Sequence, residues 1–194
     1  MKNLSYLIYV LLIPFNLSAQ TEKGNWFFGG DTSLSFVSSN IQPERDGDNL
    51  EKTTISNITF KPSANYFLQD NLAVGLGLLF QSRTNKEGSD KGTEVTTALI
   101  PSVTYFFSSG SKLVPYVGAG VGLMSLKSKD SDANLKYSGL AFTSSGGFAY
   151  FLSDSVSLNL GFSYLSSNLK DKKQSKNKIK TNAFGVTLSF GVFL

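Results

Sequence analysis

The feature that most constrains this chain is an alternation of large apolar and small residues, which runs from Asn25 to the last residue. A period of two indicates β-strands whose two faces meet different surroundings. In the last segment Phe184 and Leu188 share one face, whereas Gly185 and Thr187 share the other. The sequence therefore predicts strands with one large apolar face and one face of small neutral residues.

Segments with this alternation are joined by connections that are long and short in turn. The predicted strands are Asn25 to Val37, Thr53 to Leu68, Leu72 to Ser82, Val95 to Phe107, Val114 to Leu126, Tyr137 to Leu152, Val156 to Ser166 and Ile179 to Leu194. The short connections are Gln69 to Asn71, Ser108 to Leu113 and Ser153 to Ser155, and the long hydrophilic ones are Ser38 to Lys52, Arg83 to Glu94, Lys127 to Lys136 and Ser167 to Lys178. Such asymmetry is typical of bacterial outer-membrane barrels. We predict an all-β fold, an eight-stranded antiparallel up-and-down transmembrane β-barrel.

The distribution of charge indicates which face of these strands points outward. A soluble, lipocalin-like barrel also alternates, but it must carry its charged residues on the outer face. Here only Asp31 and Lys61 fall within strand centres, and both lie on the small-residue face. A Lys or Arg at mid-depth in lipid costs about 2–4 kcal/mol. The uncharged apolar face is therefore predicted to face hydrocarbon.

Aromatic residues on the apolar face support the same orientation, because Trp and Tyr prefer the two membrane interfaces. Those predicted near the periplasmic strand ends are Trp26, Phe28, Tyr66, Tyr105, Phe107, Tyr150 and Phe190, and those near the outer ends are Phe36, Phe80 and Tyr164. The sequence thus predicts an aromatic belt at each interface.

The first 19 residues predict a cleavable export signal. Lys2 forms the positive region, an apolar stretch runs from Leu4 to Leu17, and Leu17-Ser18-Ala19 suits a cleavage site. A transmembrane helix is the alternative, but the apolar run is short and is interrupted by Pro14 and Asn16. We expect a signal peptide over residues 1–19 and a barrel domain over residues 20–194.

Two missing residue types narrow the possible chemistry. The chain has no Cys and no His, which excludes disulfides, thiolate or His-ligated zinc, and Ser-His or Cys-His catalytic pairs. Without Lys2 the chain has 17 basic and 14 acidic side chains, and a net charge of +3 is too small to imply nucleic acid. The glycine run from Gly118 to Gly122 has no predicted helix after it, so it does not match a nucleotide-binding loop. We expect no cofactor and no resident metal.

Asp31 and Lys61 are predicted to lie opposite one another inside the barrel, on the first and second strands. An unpaired interior charge would be costly, so we expect a salt bridge between them, with Asn65 or Asn159 as further members of the network. A catalytic role is the alternative, but the pair has no nucleophile beside it.

The last long connection is strongly basic. Its lysines are Lys170, Lys172, Lys173, Lys176, Lys178 and Lys180, with Asp171 as the acidic residue among them. Clustered ammonium groups at the outer surface could contact lipopolysaccharide phosphates. The alternative is a solvated, mobile loop tip.

Three stretches, Gly24 to Gly30, Pro62 to Gly75 and Pro115 to Gly122, resemble the bacterial outer-membrane protein β-barrel family of small eight-stranded barrels. The resemblance implies a location in the outer membrane, contact with its lipids, and delivery by the insertion machinery. Members usually end in an aromatic residue that this machinery recognises, whereas this chain ends Val192-Phe193-Leu194.

The expected role is a non-enzymatic one, either structural support of the envelope or adhesion and binding through the outer loops, whose ligand the sequence does not identify. A narrow channel and an accessory subunit of a secretion or envelope complex are the alternatives. The larger residues predicted to point inward and to block a continuous water path are Phe27, Phe67, Leu79, Ile100, Phe106, Tyr116, Phe151 and Leu165.

Overall fold

The computed structural model describes residues 18–29, 35–41, 44–45, 48–49, 53–87, 90–107, 110–129, 134–172 and 177–194, and most of these residues lie in strands. After a short 3-10 helix at Ser18–Thr21, the strands are β1 Trp26–Gly29, β2 Ser35–Ile41, β3 Glu44–Arg45, β4 Asp48–Asn49, β5 Thr53–Phe60, β6 Ser63–Gln69, β7 Leu72–Glu87, β8 Asp90–Phe106, β9 Leu113–Lys129, β10 Asn134–Ser153, β11 Val156–Asp171 and β12 Lys178–Phe193. Within these residues no helix has the length and apolar character to cross a membrane.

The strands form an antiparallel ring with eight positions in its wall. β1 with β2 supplies the first position, β5 with β6 supplies the second, and β7 to β12 supply one each. The ring closes where β1 pairs with β12, with Phe27 opposite Phe193 and Phe28 opposite Val192. The predicted eight-stranded up-and-down barrel is confirmed.

The second wall strand is interrupted, although the sequence predicted it to be continuous from Thr53 to Leu68. It is broken at Lys61 and Pro62, because proline has no N–H to donate to a neighbouring strand. Its carbonyl still accepts a hydrogen bond from the Leu78 N–H at 2.9 Å. The register with β7 therefore stays in step across the break, with Phe60 opposite Phe80 and Ser63 opposite Gly77.

The strands β7 to β11 are longer than predicted. β7 and β8 pair without a break from Leu72 opposite Tyr105 to Glu87 opposite Asp90, so most of the segment predicted as a loop from Arg83 to Glu94 is a hairpin. Hydrophilic composition suggested a loop, but strand pairing in water needs only alternating side chains and a complete set of backbone hydrogen bonds. The barrel wall thus continues as polar strands beyond its apolar band.

Two ends of the barrel can be distinguished. The turn end carries the connections around Asn71, Gly110 and Asp154, together with the meeting point of Trp26 and Leu194, which exchange backbone hydrogen bonds of 2.8 and 2.9 Å. The extended end carries the polar ends of β7 to β12. The segments predicted as long connections lie at the extended end, opposite the predicted short turns.

The two faces of the wall follow the predicted alternation. On β12, Phe184, Val186 and Leu188 are 71%, 68% and 63% exposed, whereas Ser189 and Phe193 on the alternate face are buried. The large apolar side chains therefore cover the outside of the cylinder. The buried core lies inside it, and the apolar outer surface is the opposite of the charged exterior of a soluble barrel.

Candidate functional site

The interior is closed at the turn end by a plug of aromatic rings. The rings of this aromatic plug belong to Phe27, Phe67, Phe106, Phe151 and Phe193. Each of them is no more than 5% exposed. Phe27 and Phe106 meet edge to face with centroids 5.8 Å apart, and Tyr116 packs on Phe106 at 5.9 Å. Four of the inward residues that the sequence predicted to block the barrel are thus brought together here.

Phe193 lies at the centre of the plug and was not among the predicted blocking residues. Its ring stacks on Phe27 at 4.6 Å and lies 5.0 Å from Phe151, with Phe67 and Phe106 each 6.3 Å away. The alternation of β12 could have located it, because Phe193 has the parity of Ser189 and Gly191 and not that of Phe190. The penultimate residue of the chain is therefore a core residue.

A second apolar cluster fills the interior at the extended end. Its buried members are Ala98, Met124, Tyr137, Ala141 and Leu169, and the partly buried residues packed against it are Leu79, Ile100, Leu126, Leu165 and Ile179. This upper cluster contains a single aromatic ring and smaller side chains than the aromatic plug. The barrel interior is thus filled by apolar side chains near both ends.

A cavity of about 420 Å³ lies inside the barrel wall. Phe27, Phe106 and Tyr116 of the aromatic plug region line it, and so do Leu79 and Ile100 of the upper cluster. Its polar lining comes mostly from Ser, Thr and Asn side chains, with Lys61 as its charged member among the described residues. The chemistry available there is hydrogen bonding and one positive charge.

The structure describes only part of the predicted interior network around Asp31 and Lys61. Lys61 is half-buried and lines the cavity, whereas Asp31 lies outside the described residues, so the salt bridge stays a prediction. The Asn65 side chain donates to the Phe27 carbonyl at 3.2 Å and to the Ser63 hydroxyl at 3.4 Å. Asn159 accepts a 2.8 Å hydrogen bond from Ser157. These two asparagines therefore bond to neighbours near the aromatic plug.

Residues just before β1 fasten the chain across the turn end. The Thr21 hydroxyl donates a 2.6 Å hydrogen bond to the side-chain oxygen of Asn71, and the Lys23 N–H donates to the Asp70 carboxylate at 2.9 Å. The Gln20 side chain donates to Asp154 at 3.3 Å. Gln20 and Thr21 are 4% and 3% exposed, so this segment is buried at the turn end.

Four of the six lysines of the predicted basic loop lie within the described residues. Lys178 and Lys180 begin β12, Lys170 lies near the end of β11, and Lys172 follows that strand. All four are exposed, and Lys170 stands directly opposite Lys178. Lys173 and Lys176 lie outside the described residues. In the segment predicted as a loop from Ser167 to Lys178, most of the residues that the structure describes are strand.

Comparison with known proteins agrees with this architecture. The model of the outer membrane protein beta-barrel domain matches residues 7–191. This chain belongs to that family. In solved structures, the outer membrane protein OprG from Pseudomonas aeruginosa is 18% identical, with 89% of this chain and 97% of that chain covered and a TM-score of 0.55. Neisserial surface protein A is also 18% identical, with the same coverage and a TM-score of 0.50. No curated protein sequence matches the chain.

Family membership locates the barrel in the outer membrane. Outer-membrane barrels have short periplasmic turns and longer segments outside the cell. The turn end, with its aromatic plug, therefore faces the periplasm, and the extended end faces the outside. Trp26, which is 45% exposed and 5.2 Å from the ring of Tyr66, belongs to the predicted periplasmic aromatic belt. The side chain of Phe36, which the sequence predicted to belong to the outer belt, lies outside the part of the chain that the structure describes.

Proposed function

We propose that this protein is a non-conducting, non-enzymatic surface protein, which uses its extended end for binding outside the cell. The observation that carries the proposal is the filled interior: the aromatic plug and the upper cluster occupy the barrel at two levels. Ions need a continuous water path, and the largest side chains that would interrupt it, Phe67 and Phe106, are 0% and 2% exposed.

The length of the outer strands supports a role outside the membrane. A tilted strand crosses the hydrocarbon core with about 9–11 residues, whereas β8 and β9 have 17 residues each and β10 has 20. The excess residues lie at the extended end, where they form polar hairpins on a rigid cylinder. Loops and hairpins on such a scaffold are where recognition usually takes place.

Conductance in planar bilayers tests the proposal directly. The purified protein should leave the current at the level of the empty bilayer. A variant with Phe67→Ala, Phe106→Ala, Met124→Ala and Leu169→Ala, which removes large side chains from both levels, is the positive control. Influx of arabinose into proteoliposomes gives a second measurement if that variant inserts poorly. Steady single-channel steps or arabinose influx with the unaltered protein would instead establish the narrow channel.

A shortened hairpin tests the role of the extended end. Arg83 lies directly opposite Glu94, so replacing residues 84–93 by Asn-Gly leaves a two-residue turn and preserves the strand register. Cells carrying this variant should attach less well to glass and survive less well in deoxycholate than cells with the full hairpin. The matched control inserts two Ser residues after Gly110 at the turn end. Equal attachment and survival in both strains would contradict a function at the extended end.

A further inference from the structure

Lysines recur on the lipid-facing side of six successive strands, just beyond the apolar band. We define the lysine collar by residues that share the parity of the outward apolar side chains on β7 to β12: Lys86, Lys91, Lys127, Lys129, Lys136, Lys170, Lys178 and Lys180. On β9, for example, the outward residues run Val121, Leu123, Ser125 and Lys127. On β10 they run Phe142, Leu140, Ser138 and Lys136. All eight lysines of the collar are exposed.

We propose that the lysine collar binds the phosphate groups of lipopolysaccharide in the outer leaflet around the barrel. The partner is thus the lipid A headgroup that surrounds the protein, and not a soluble ligand. The sequence predicted contact with lipopolysaccharide only for the connection between β11 and β12, whereas the collar extends along β7 to β12. The proposal does not depend on whether the barrel conducts ions.

Strand register brings the ammonium groups together in pairs. Lys86 is directly opposite Lys91, Lys127 is opposite Lys136, and Lys170 is opposite Lys178. Opposed residues in an antiparallel pair have Cβ atoms about 4.5–5.5 Å apart, and like charges there repel. Three such pairs on three successive hairpins are unfavourable unless an anion lies between them. A phosphate that accepts hydrogen bonds from both ammonium groups provides that compensation.

Acidic side chains on the same strands belong to the opposite face of the wall from the collar. Asp90 and Glu94 on β8 and Asp171 on β11 have the parity of the interior residues. Among the side chains that the structure describes on these six strands, no acid shares the outward face with the lysines. A face designed only for solubility would mix both signs. The turn end does mix them, with Glu22, Lys23, Asp70, Lys112 and Asp154.

The height of the collar suits a lipid headgroup. Lys127 lies two outward positions beyond Leu123 on β9, and Lys136 lies two outward positions beyond Leu140 on β10. At about 3.3 Å per residue and a tilt of about 40°, the backbone of this pair lies about 10 Å beyond the last apolar side chain. Lys86, Lys170 and Lys178 lie three outward positions beyond theirs, at about 15 Å by the same estimate. A lysine stem extends several ångströms over apolar surface while its ammonium group stays among polar groups. The intervening Ser125 and Ser138 occupy the boundary.

Binding of diphosphoryl lipid A to the full barrel in neutral detergent micelles tests the proposal. The variant K127Q/K136Q should bind about thirtyfold more weakly than the unaltered protein, since each lysine near anionic lipid contributes about fivefold. The variant K170Q/K178Q, on the next hairpin, should lose a similar factor. The matched control K23Q/K112Q removes the same charge at the turn end and should retain full affinity.

Three results would overturn the proposal: equal binding by collar and control variants, equal binding of dephosphorylated lipid A, or displacement of lipid A by millimolar inorganic phosphate, which would indicate a site for a free anion. Folding of each variant is checked by the fluorescence of Trp26, the only tryptophan in the chain.

The two proposals can fail independently. A barrel that conducts ions but still binds lipid A through the collar would contradict only the proposed function, and a non-conducting barrel that does not bind lipid A would contradict only the collar.

Discussion

The two ends of this barrel differ in their side chains, although the same strands run through both. At the turn end, five phenylalanine rings, tight turns and the hydrogen-bonded segment from Gln20 to Lys23 close the interior. At the extended end, the interior holds mostly aliphatic side chains, and the outward face carries lysines. From this difference we expect the turn end to be the more stable part of the molecule, and the proposed function assigns the contacts with partners to the extended end.

If this contrast is correct, the same kind of substitution should cost more stability at the turn end than at the extended end. Three pairs of variants test it, each with one member at either end, and the free energy of unfolding in urea, followed by the fluorescence of Trp26 in detergent micelles, is the common measurement. Trp26 suits this purpose because its ring stacks on Phe28 at 5.8 Å, so its emission should change when the wall opens.

The largest effect is expected for a large buried side chain in each of the two clusters. Phe193→Ala should lower the free energy of unfolding by about 3–5 kcal/mol, because it leaves a cavity among four other rings. Leu169→Ala, which truncates a side chain that is 1% exposed in the upper cluster, should cost about 2 kcal/mol, since its partly buried neighbours can move into the space. Equal losses from the two variants would show that both ends are packed alike.

A smaller effect is expected for two glycines on the same face of β12. A Cβ at Gly191 would lie 2.5 Å from the Phe27 ring and 2.7 Å from the Ser157 hydroxyl. Gly191→Ala should therefore cost about 1–3 kcal/mol. At Gly185 the nearest atom would be the Ser163 hydroxyl at 3.9 Å, so Gly185→Ala should stabilise the barrel by about 0.5 kcal/mol, as removal of a strand glycine does. Destabilisation by Gly185→Ala would mean that the cavity is tighter than described.

The smallest effect is expected for single hydrogen bonds at the two ends. Thr21→Val removes the bond to Asn71 at a nearly fully buried position and should cost about 1 kcal/mol. Asn182 accepts from Ser166 at 2.9 Å and from Tyr164 at 3.2 Å, but all three residues lie at or near the outer surface. Asn182→Ala should change stability by less than about 0.5 kcal/mol. A larger loss from Asn182→Ala would reverse the expected order of the two ends.

The sequence was sufficient for the fold because the alternation and the placement of charge act together. Period two predicts strands, and the absence of charge from one face predicts which side meets lipid; the inward positions of Phe27, Phe67, Phe106 and Phe151 follow directly. The break at Lys61 and Pro62 was missed, although proline within a strand was the available signal. The long hairpins were missed because polar strands in water resemble loops in composition.

The opposed lysine pairs could not be predicted from the sequence alone. They depend on which residue of one strand faces which residue of the next, and a slip by one position reverses the face of every side chain. The expected salt bridge of Lys61 with Asp31 and the contacts of Lys173 and Lys176 stay predictions. The lipopolysaccharide contact was anticipated from the number of lysines in one segment, whereas the register of three hairpins supplied the argument for a collar.

The position of Phe193 has a consequence for how the barrel is assembled. Its stacking on Phe27 joins the first and the last strand of the barrel, so a nascent sheet with seven strands in place still lacks the centre of its core. Contacts between such distant residues form late and slowly. Closure of the cylinder and formation of its core are consequently a single cooperative event. A chain without Phe193 and Leu194 should remain an open sheet, which envelope proteases can degrade.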